Sequence, residues 1–371
     1  MSPGALEGMQ QQAGRTHTRR PKAWWIEPLE GYARPDLRRS IACLVTSVGA
    51  YLALWPAMYY LLGVSYWLVL LVAIPASGFL VRTFIVFHDC GHGSFMPTKR
   101  ANRIVGIVTG LLVYNPFFAW THEHAGHHAT SGDLDRRGVG DIDTWTVDEY
   151  RSKPLMARLG YRAIRNPLIM LTVGPVWALA LEPRKLPLRG RRRVLKSHLY
   201  TDLGLVAIVG ALVWLLGWRA FLEIQLPIVV LGGGAGIWLF YVQHQFEDAY
   251  WTRPPDWSYA EAALKGSTYL RLPKVLEFFT GSIGLHHVHH LNPRIPNYNL
   301  RRAHDDNPFL HVAPTISLWQ GVRCLNLKLI DDRTGRMVTY AQARRLIDDT
   351  GRTPGHGPVA GVVPAPRAPE V

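Results

Sequence analysis

Cysteine and charged residues are both scarce in this chain of 371 residues. Only Cys43, Cys90 and Cys324 are present, and no two of them have the spacing of a zinc finger. Three cysteines cannot form the disulfide framework of a small secreted scaffold. Charged residues make up 18% of the chain and aromatic residues 11%, whereas disordered proteins are rich in charge and poor in aromatics. The composition therefore excludes a disulfide-stapled domain and a disordered chain.

The apolar residues lie in long uncharged blocks. Four blocks contain no charged residue, at positions 41–63, 65–81, 203–218 and 224–243. A helix needs about 20 apolar residues to cross the bilayer core, with a range of about 17–25. The blocks form two pairs with short connections, at 63–65 and 217–223, so they predict two transmembrane hairpins. A soluble protein with several buried helices is the alternative, but four such blocks are difficult to bury in a soluble core.

Two further apolar blocks are shorter. One covers 104–119 and is broken at Asn115-Pro116, and the other covers 167–181 and is broken at Gly174-Pro175. We interpret each as a re-entrant or interfacial segment, or as a full span if it is tilted or extended. Together, the blocks predict an all-α polytopic membrane protein with four main helices and one or two short membrane-associated helices.

Positive charge is unevenly distributed along the chain. Lys and Arg outnumber Asp and Glu by 41 to 27, which gives a formal net charge of +14. Arg219 is the one basic residue at the predicted hairpin tips, whereas basic residues cluster before the first and third blocks: Arg19, Arg20, Lys22, Arg38 and Arg39, and Arg184, Lys185, Arg189, Arg191, Arg192, Arg193 and Lys196. Because basic loops stay in the cytoplasm, both termini and the middle segment should be cytoplasmic. No nucleic-acid-binding module accompanies the charge, so we expect no nucleic-acid partner.

The block pattern divides the chain into six segments. They are a cytoplasmic N-terminal segment (1–39), hairpin 1 (40–87), a cytoplasmic region with the two short blocks (88–199), hairpin 2 (200–245), a cytoplasmic C-terminal region (246–345) and a tail rich in proline and glycine (346–371). The N-terminal segment is polar and lacks the apolar stretch of a cleavable signal. The composition of the tail predicts disorder.

Ten of the 16 histidines fall in three clusters. The first is His88 and His92, four residues apart. The other two clusters share the spacing His-x-x-His-His. The second cluster is His124, His127 and His128, with His122 two residues before it. The third cluster is His286, His289 and His290, with His287 between the first two. Residues three and four apart lie on one face of a helix, so each cluster can direct two or three imidazoles to one point. A multi-histidine metal centre needs this convergence, because each ligand nitrogen lies about 2.0–2.2 Å from the ion.

The number of clustered histidines predicts two metal ions. His244 joins the eight clustered candidates because it lies at the end of the last long block, and an ionisable residue there is a candidate for a functional site. One ion takes about four to six ligands, so eight or nine ligands require two ions. Imidazole binds Fe, Cu, Zn and Ni, and the spacing does not separate these metals. The shortage of cysteine excludes an iron–sulfur cluster, and the Glu-x-x-His motif of ferritin-like di-iron proteins does not occur.

Together, the three clusters and the transmembrane pairs between them resemble the membrane fatty acid desaturase superfamily. Its signature is H-x(3,4)-H, H-x(2,3)-H-H and H-x-x-H-H, in this order. The flanking residues resemble the acyl-lipid, omega-6 or Δ12-type branch: Phe87-His-Asp-Cys-Gly-His-Gly-Ser94, Trp120-x-x-x-His124-x-x-His127-His128 and Gly281-x-x-x-x-His286-x-x-His289-His290-Leu-x-Pro-x-Ile-Pro-x-Tyr298. The resemblance covers roughly residues 40–310.

The resemblance implies a di-iron centre that uses O₂ to remove two hydrogens from an unactivated acyl chain. It implies a ninth iron ligand at the position of His244. The other eight are His88, His92, His124, His127, His128, His286, His289 and His290. His122 and His287 stand at positions that are not ligands in the family, and a small hydroxyl residue is common where His122 stands. The centre would be held by a cytoplasmic helical cap, and no catalytic residue is expected beyond the metal ligands.

Polar residues near the clusters are candidates for orienting the imidazoles through their second ring nitrogen. The candidates are Asp89, Glu123, Asp141, Asp143, Glu247, His122 and His287. For each carboxylate, a solvated surface acid near the membrane is the alternative interpretation.

The expected partners follow from the same resemblance. A membrane lipid or another acyl-chain substrate would enter from the bilayer into a tunnel between the helices. The chain lacks the His-Pro-Gly-Gly motif of a fused cytochrome b5, so a separate donor of the ferredoxin or cytochrome b5 type should supply electrons. The basic cytoplasmic loops could steer an acidic ferredoxin.

Two other functions remain open from the sequence. A hydroxylase of the same superfamily, acting on an acyl chain, a carotenoid or an alkane, would carry the same clusters. Mass spectrometry of host lipids separates the two, because desaturation removes two hydrogens and hydroxylation adds one oxygen. A histidine-rich metal transporter is a more distant alternative, because transporters place their ligands near the bilayer midplane.

Overall fold

The computed structural model describes residues 23–138, 140–185 and 192–350, the last three by their backbone alone. Its helices are α1 (Ile26–Leu29), α2 (Leu37–Leu62), α3 (Tyr66–His92), α4 (Lys99–Leu112), α5 (Phe117–Thr130), α6 (Val147–Ser152), α7 (Leu155–Ile164), α8 (Pro167–Arg184), α9 (Arg192–Leu216), α10 (Trp218–His244), α11 (Tyr259–Lys265), α12 (Lys274–Phe279), α13 (His286–Leu291), α14 (Asn297–Asp306), α15 (Leu318–Cys324) and α16 (Tyr340–Thr350). Two stretches are π-helical: Val45–Gly49 in α2 and Trp177–Leu181 in α8.

Four helices, α2, α3, α9 and α10, are long and apolar enough to cross a membrane. Two bent pairs pass the same test together: α4 and α5 meet at 99°, and α7 and α8 meet at 75°. The described residues therefore offer four to six spans. This confirms the predicted helical membrane protein with two hairpins and additional short membrane-associated segments.

The structure corrects two predicted breaks. The second hairpin turns at Gly217 alone, with φ of 83°, and the residues predicted to connect its helices form the first turns of α10. The α7–α8 bend lies at Arg165–Asn166, because the side chain of Asn166 caps the amide of Leu168 and Pro167 begins the helix. At the predicted break, the helix continues through Pro175, and the missing amide is followed by a π-helical stretch.

The bend between α4 and α5 is where the sequence predicts it. Tyr114 has a φ of 61°, and the side chain of Asn115 donates to the carbonyl of Val113 at 2.8 Å. Pro116 then precedes the first turn of α5. The bend returns α5 to the end of α3, where the ring centroids of Phe87 and Trp120 are 4.9 Å apart.

Close backbone approaches hold α10 between α3 and α8. A Cβ atom at Gly232 would lie 3.1 Å from the carbonyl oxygen of Ser77 in α3, and one at Gly234 would lie 2.6 Å from the carbonyl oxygen of Leu171 in α8. Small residues allow this packing where lipid provides no hydrophobic driving force between helices. The position of His244, the last residue of α10, is thereby fixed relative to α3.

The residues after α10 form a cap over the ends of α3 and α10. Strand β1 (Tyr269–Arg271) pairs in parallel with β2 (Thr315–Ser317), and β3 (Leu329–Ile330) pairs antiparallel with β4 (Met337–Val338). Six residues are too few for an isolated helix to be stable, so α13 depends on the packing of Leu285, Val288 and Leu291 in the apolar core of the cap.

The start of the predicted disordered tail, residues 346–350, belongs to helix α16. The amide of Thr339 donates to Oε1 of Gln342 at 2.8 Å, and the amide of Gln342 donates to Oγ1 of Thr339 at 3.2 Å. This reciprocal cap begins the helix, and Leu346 and Ile347 pack on a cluster that includes Val147. The rest of the tail lies outside the described residues, as do residues 1–22 and two arginines of the second basic cluster.

Candidate metal centre

Nine histidines gather in two groups where the ends of α3 and α10 meet α5 and the cap. Group 1 consists of His88, His92, His124, His128 and His289, and group 2 consists of His127, His244, His286 and His290. Within each group, the ring nitrogens that could bind a metal all lie within 4.8 Å of one another. The structure brings together all nine residues that we predict as ligands.

Helices α5 and α13 each contribute to both groups. In each His-x-x-His-His triplet, the first and last histidines share a group and the middle one joins the other: His124 and His128 against His127 in α5, and His286 and His290 against His289 in α13. Successive helical residues are rotated by about 100°, so residue i+4 returns to within about 40° of residue i, while i+3 points about 60° to the other side. The spacing therefore divides each triplet between two centres.

The distances between ring nitrogens are those of ligands around a common ion. In group 1, Nε2 of His128 lies 3.0 Å from Nε2 of His289. In group 2, Nε2 of His286 lies 2.9 Å from Nε2 of His244 and 3.1 Å from Nε2 of His290. Two nitrogens that are each about 2.1 Å from one ion, at a right angle, are about 3.0 Å apart. The observed spacing therefore fits metal coordination.

Burial keeps the rings of α13 neutral. His286, His289 and His290 are at most 2% exposed, and burial lowers the pKa of all three well below the usual value, with neighbouring imidazoles adding to the effect. The neutral ring is the form that binds a metal ion. Neutral rings whose Nε2 atoms face one another leave their lone pairs unsatisfied, and a cation between them would satisfy them.

Asp89 fixes the orientation of His88. Nδ1 of His88 donates to Oδ1 of Asp89 at 3.0 Å. The other oxygen, Oδ2, accepts from the amide of Asn297 at 2.7 Å and from its Nδ2 at 2.8 Å. Asp89 is only 1% exposed, and both of its oxygens are used. Because Nδ1 carries the proton, Nε2 of His88 is free to bind a metal.

Two contacts of the same kind orient group 2. Nδ1 of His127 donates to Oδ1 of Asp141 at 2.5 Å, and Nδ1 of His244 donates to the carbonyl oxygen of Gly266 at 3.1 Å. A Cβ atom at position 266 would lie 2.5 Å from the carbonyl oxygen of Ala262. Glycine is therefore required where the chain passes His244.

Four of the predicted orienting residues form no hydrogen bond to the nine rings within the described part of the chain. They are the exposed residues His122, Glu123, Asp143 and Glu247. His122 precedes His124 by two residues, so it lies on the opposite face of α5, and Glu247 pairs with Arg336 at 3.4 Å on the surface. Their positions do not support the prediction that they orient the imidazoles.

His287 is buried but faces away from both groups. Its Nε2 lies 3.1 Å from Nδ1 of His304, and burial lowers the pKa of His287 to about 3. Next to His286 on α13, its side chain is rotated by about 100° from the ligand face. His287 therefore joins α13 to α14 and does not enter the centre.

Three contributors to the centre are absent from the predicted set. Asn297 holds Asp89, the carbonyl of Gly266 holds His244, and Trp120 stacks on His124 with ring centroids 4.3 Å apart. Asn297 stands at an unspecified position of the third motif, and Trp120 is a motif residue without an assigned role. A backbone carbonyl has no signal in the sequence at all.

The donor atoms fit one transition-metal ion in each group. Both groups consist of imidazole nitrogens alone, five in group 1 and four in group 2. Imidazole is a ligand of iron, copper, zinc and nickel, whereas carboxylates and carbonyls suit magnesium and calcium. The chemistry of the donor set is therefore compatible with a first-row transition metal in each group.

Known proteins place this chain in a family. A family model described as fatty acid desaturase matches residues 65–312. A fatty acid desaturase of Bacillus subtilis (strain 168) is 41% identical over 315 residues, which cover 85% of this chain and 90% of the relative. The sn-1 oleoyl-lipid 12-desaturase of Synechocystis sp. (strain ATCC 27184 / PCC 6803 / Kazusa) is 31% identical over 241 residues, 62% of this chain and 67% of the relative. The sn-1 acyl-lipid omega-3 desaturase (ferredoxin) of Nostoc sp. (strain 36) is 24% identical over 333 residues, 81% and 83%. The chain belongs to the fatty acid desaturase family.

Proposed function

We propose that this chain is a di-iron acyl-lipid desaturase that uses O₂ to introduce a cis double bond into an acyl chain of a membrane lipid. The observation that carries the proposal is the pair of imidazole groups at one end of a bundle of apolar helices. Removal of hydrogen from an unactivated methylene needs a redox-active metal, which favours iron over zinc. Relatives named as acyl-lipid desaturases support the substrate class.

The chain's own residues prepare the site for this chemistry. When bound, the two irons would supply the activation of O₂. Asp89 and Asp141 hold His88 and His127 in one tautomer and make these rings more basic toward the metal. Helix α13 closes the centre from the cap, and its buried rings exclude bulk water, which would otherwise compete for the metal positions.

An apolar cavity among the long helices offers space for part of the acyl chain. It has a volume of about 320 Å³ and is lined by residues of α2, α4, α9 and α10, among them Leu52, Leu111 and Leu212. Its lining also includes Gln225, whose Oε1 accepts from Nε1 of Trp55 at 3.0 Å. A lipid chain could enter such a cavity from the bilayer without crossing water.

The proposal includes a cytoplasmic position for the centre and a separate electron donor. Basic residues at the start of α2 and α9 support this orientation by the positive-inside rule. The Nostoc relative is named with ferredoxin, which supports a donor of the ferredoxin type, with cytochrome b5 as the other candidate. If basic loops steer the donor, turnover should fall as ionic strength rises. Turnover that does not depend on ionic strength would exclude steering.

Expression in a host that lacks the enzyme tests the function. The fatty-acid profile of the host should gain a species with one additional double bond, and the gain should require O₂. His122→Ala serves as a matched control, because it removes an exposed histidine of α5, whereas His127→Ala removes one from group 2. The control should keep the activity.

Each alternative has a distinct outcome in the same experiment. A product with one added oxygen would show that the chain is a hydroxylase and not a desaturase. Unchanged lipids together with metal uptake would favour a transporter. Double-bond formation that survives His127→Ala would contradict the proposed ligand role of that residue.

A further inference from the structure

A second polar site lies outside the metal centre, at the junction of α7 and α8. A cavity of about 610 Å³ is lined there by residues of the junction and by residues near β3 and the start of α16. Three of its lining side chains are cationic: Arg162, Arg165 and Lys328. None of the nine histidines of the two groups lines it.

Two of these cations are buried together. Arg165 is 2% exposed and Lys328 is 4% exposed. Nζ of Lys328 donates to the carbonyl of Arg165 at 2.5 Å, and Nη2 of Arg165 donates to the Tyr241 hydroxyl at 3.1 Å and to Oε1 of Gln245 at 2.9 Å. These partners are all neutral, and within the described residues neither cation forms an ion pair. Nη1 of Arg165 also donates to the carbonyl of Asp143 at 3.2 Å. Hydrogen bonds to neutral groups offset part of the hydration that a buried cation loses, but they supply no opposite charge.

Two residues that line the cavity also carry a hydrogen-bonding atom without a partner. Nε of Arg165 and the hydroxyl of Tyr340 are buried and have no hydrogen-bond partner in the described parts of the chain. Arg162 lies over the ring of Tyr340 at 4.6 Å, which holds a third cation beside the cavity. Burial and the charge of Arg165 lower the pKa of Lys328 to about 8. A bound anion would supply the opposite charge that the buried cations lack, and it could accept hydrogen bonds from the atoms that have no partner.

The surroundings place the cavity close to the membrane surface. Helices α7 and α8 expose Met156, Ile164 and Leu168, which are 76%, 71% and 72% exposed, whereas Arg162 and Arg165 face the cavity. An amphipathic helix of this kind lies in the interface with its apolar side toward the acyl chains. This position of α7 would bring the cavity near the depth of the lipid phosphates.

We propose that this cavity binds a phosphate group, with Arg162, Arg165 and Lys328 as the cationic contacts and Tyr340 as a hydrogen-bond donor. Phosphate oxygens can accept from all four residues, and guanidinium groups match them in charge and geometry. The phosphate could belong to the headgroup of an acidic lipid or to the inorganic ion, and the chemistry of recognition is the same. The site does not rest on the proposed function, because none of its lining residues belongs to either histidine group.

Thermal unfolding of the full-length protein in neutral detergent tests the site. The unfolding midpoint is measured with inorganic phosphate against chloride at equal ionic strength, and with phosphatidylglycerol against a neutral glycolipid without phosphate. A ligand that binds the native state alone raises the midpoint with its concentration. We expect a rise with a phosphate-bearing ligand and none with its control. A rise with the lipid alone assigns the site to a headgroup, and a rise with the ion alone assigns it to free phosphate.

Two variants connect any shift to this cavity. Lys328→Met and Arg162→Gln should weaken the apparent affinity about tenfold or more, since each removes a charge-assisted hydrogen bond. Arg323→Gln is the matched control, because Arg323 is an exposed cation of α15 that does not line the cavity. Arg162 is exposed, so its variant tests the site even if Lys328→Met does not fold. The proposal is overturned if no phosphate compound raises the wild-type midpoint, or if the variants respond like the wild type.

Discussion

The two histidine groups are built from different parts of the fold. Group 1 takes His88 and His92 from the end of one membrane-spanning helix, and Asp89, the next residue along the same helix, orients His88. Group 2 takes a single residue, His244, from a spanning helix. Its orienting contacts come from Asp141 and Gly266, which lie outside the helices of the membrane. Group 1 therefore depends mainly on helix geometry, and group 2 depends on how the loops and the cap fold around it.

Helices α5 and α13 connect the two histidine groups. Each contributes histidines to both groups, so a shift of either helix would move candidate ligands of both groups together. A variant that affects one group alone must act on a single ring or on the partner of that ring. The predictions below use this distinction, from the largest expected effect to the smallest.

Removal of one ligand should abolish activity. His289→Ala takes a ring from group 1, and His127→Ala takes one from group 2. We expect each to reduce double-bond formation more than about 100-fold, a larger loss than is typical for residues that only orient a ligand. Both proteins should remain in the membrane, because neither residue lies in one of the four long apolar helices. Fatty-acid profiles and membrane fractionation check this, and retained double-bond formation in either variant would refute the assignment.

Asp89→Asn should lower the free energy of unfolding more than Asp141→Asn, although the two substitutions are chemically the same. Both oxygens of Asp89 accept hydrogen bonds, so an amide NH₂ group must face either the ring of His88 or the donors of Asn297. We expect a loss of about 1–3 kcal/mol in the free energy of unfolding, the penalty of a buried polar group without its partner.

Asp141 has a free position for the amide nitrogen, because its Oδ2 is buried and has no partner within the described residues. Asp141→Asn should keep the fold and weaken metal binding in group 2 by about 10–100-fold, since the ring of His127 loses a charged partner. Thermal unfolding and chelator competition separate the two variants. Equal destabilisation by both would contradict the difference between the groups.

His287→Ala should be milder than any change to a ligand. The variant removes a buried ring and its contact with His304, which should lower the free energy of unfolding by about 1–3 kcal/mol. Because the ring faces away from both groups, metal content and double-bond formation should persist. If the variant loses metal without unfolding, His287 belongs to the centre.

Acid should destabilise the cap through His304. Burial, followed by the neighbouring His311, lowers the pKa of His304 to about 4, while Asp305 and Arg301 act in opposite directions. The unfolded-state pKa is about 6.5, so the stability contributed by neutral His304 is fully present above pH 6.5 and is lost as the pH falls toward 4. His304→Gln should flatten this part of the dependence of unfolding midpoint on pH. An unchanged slope would assign the acid sensitivity to other groups.

The parts of the molecule that local chemistry determines were predictable from the sequence. The length of an uncharged block sets a spanning helix, and the spacing of His124, His127 and His128 sets a shared helical face. The partition into two groups also follows from helix geometry, but it needs the positions of the partner helices. Contacts between distant parts of the chain could not be predicted from the sequence. Examples are the carbonyl of Gly266, which holds His244, and Asn297, which holds Asp89. The α7–α8 bend at Asn166 was also missed, because Pro175 suggested a break that the helix accommodates.

Metal analysis of the purified full-length protein tests the central claim most directly. If both groups bind iron, elemental analysis should find two iron ions for each chain, and His289→Ala and His127→Ala should each lower that number. A protein that desaturates lipids but contains no iron, or that keeps two irons after either histidine is removed, would contradict the account.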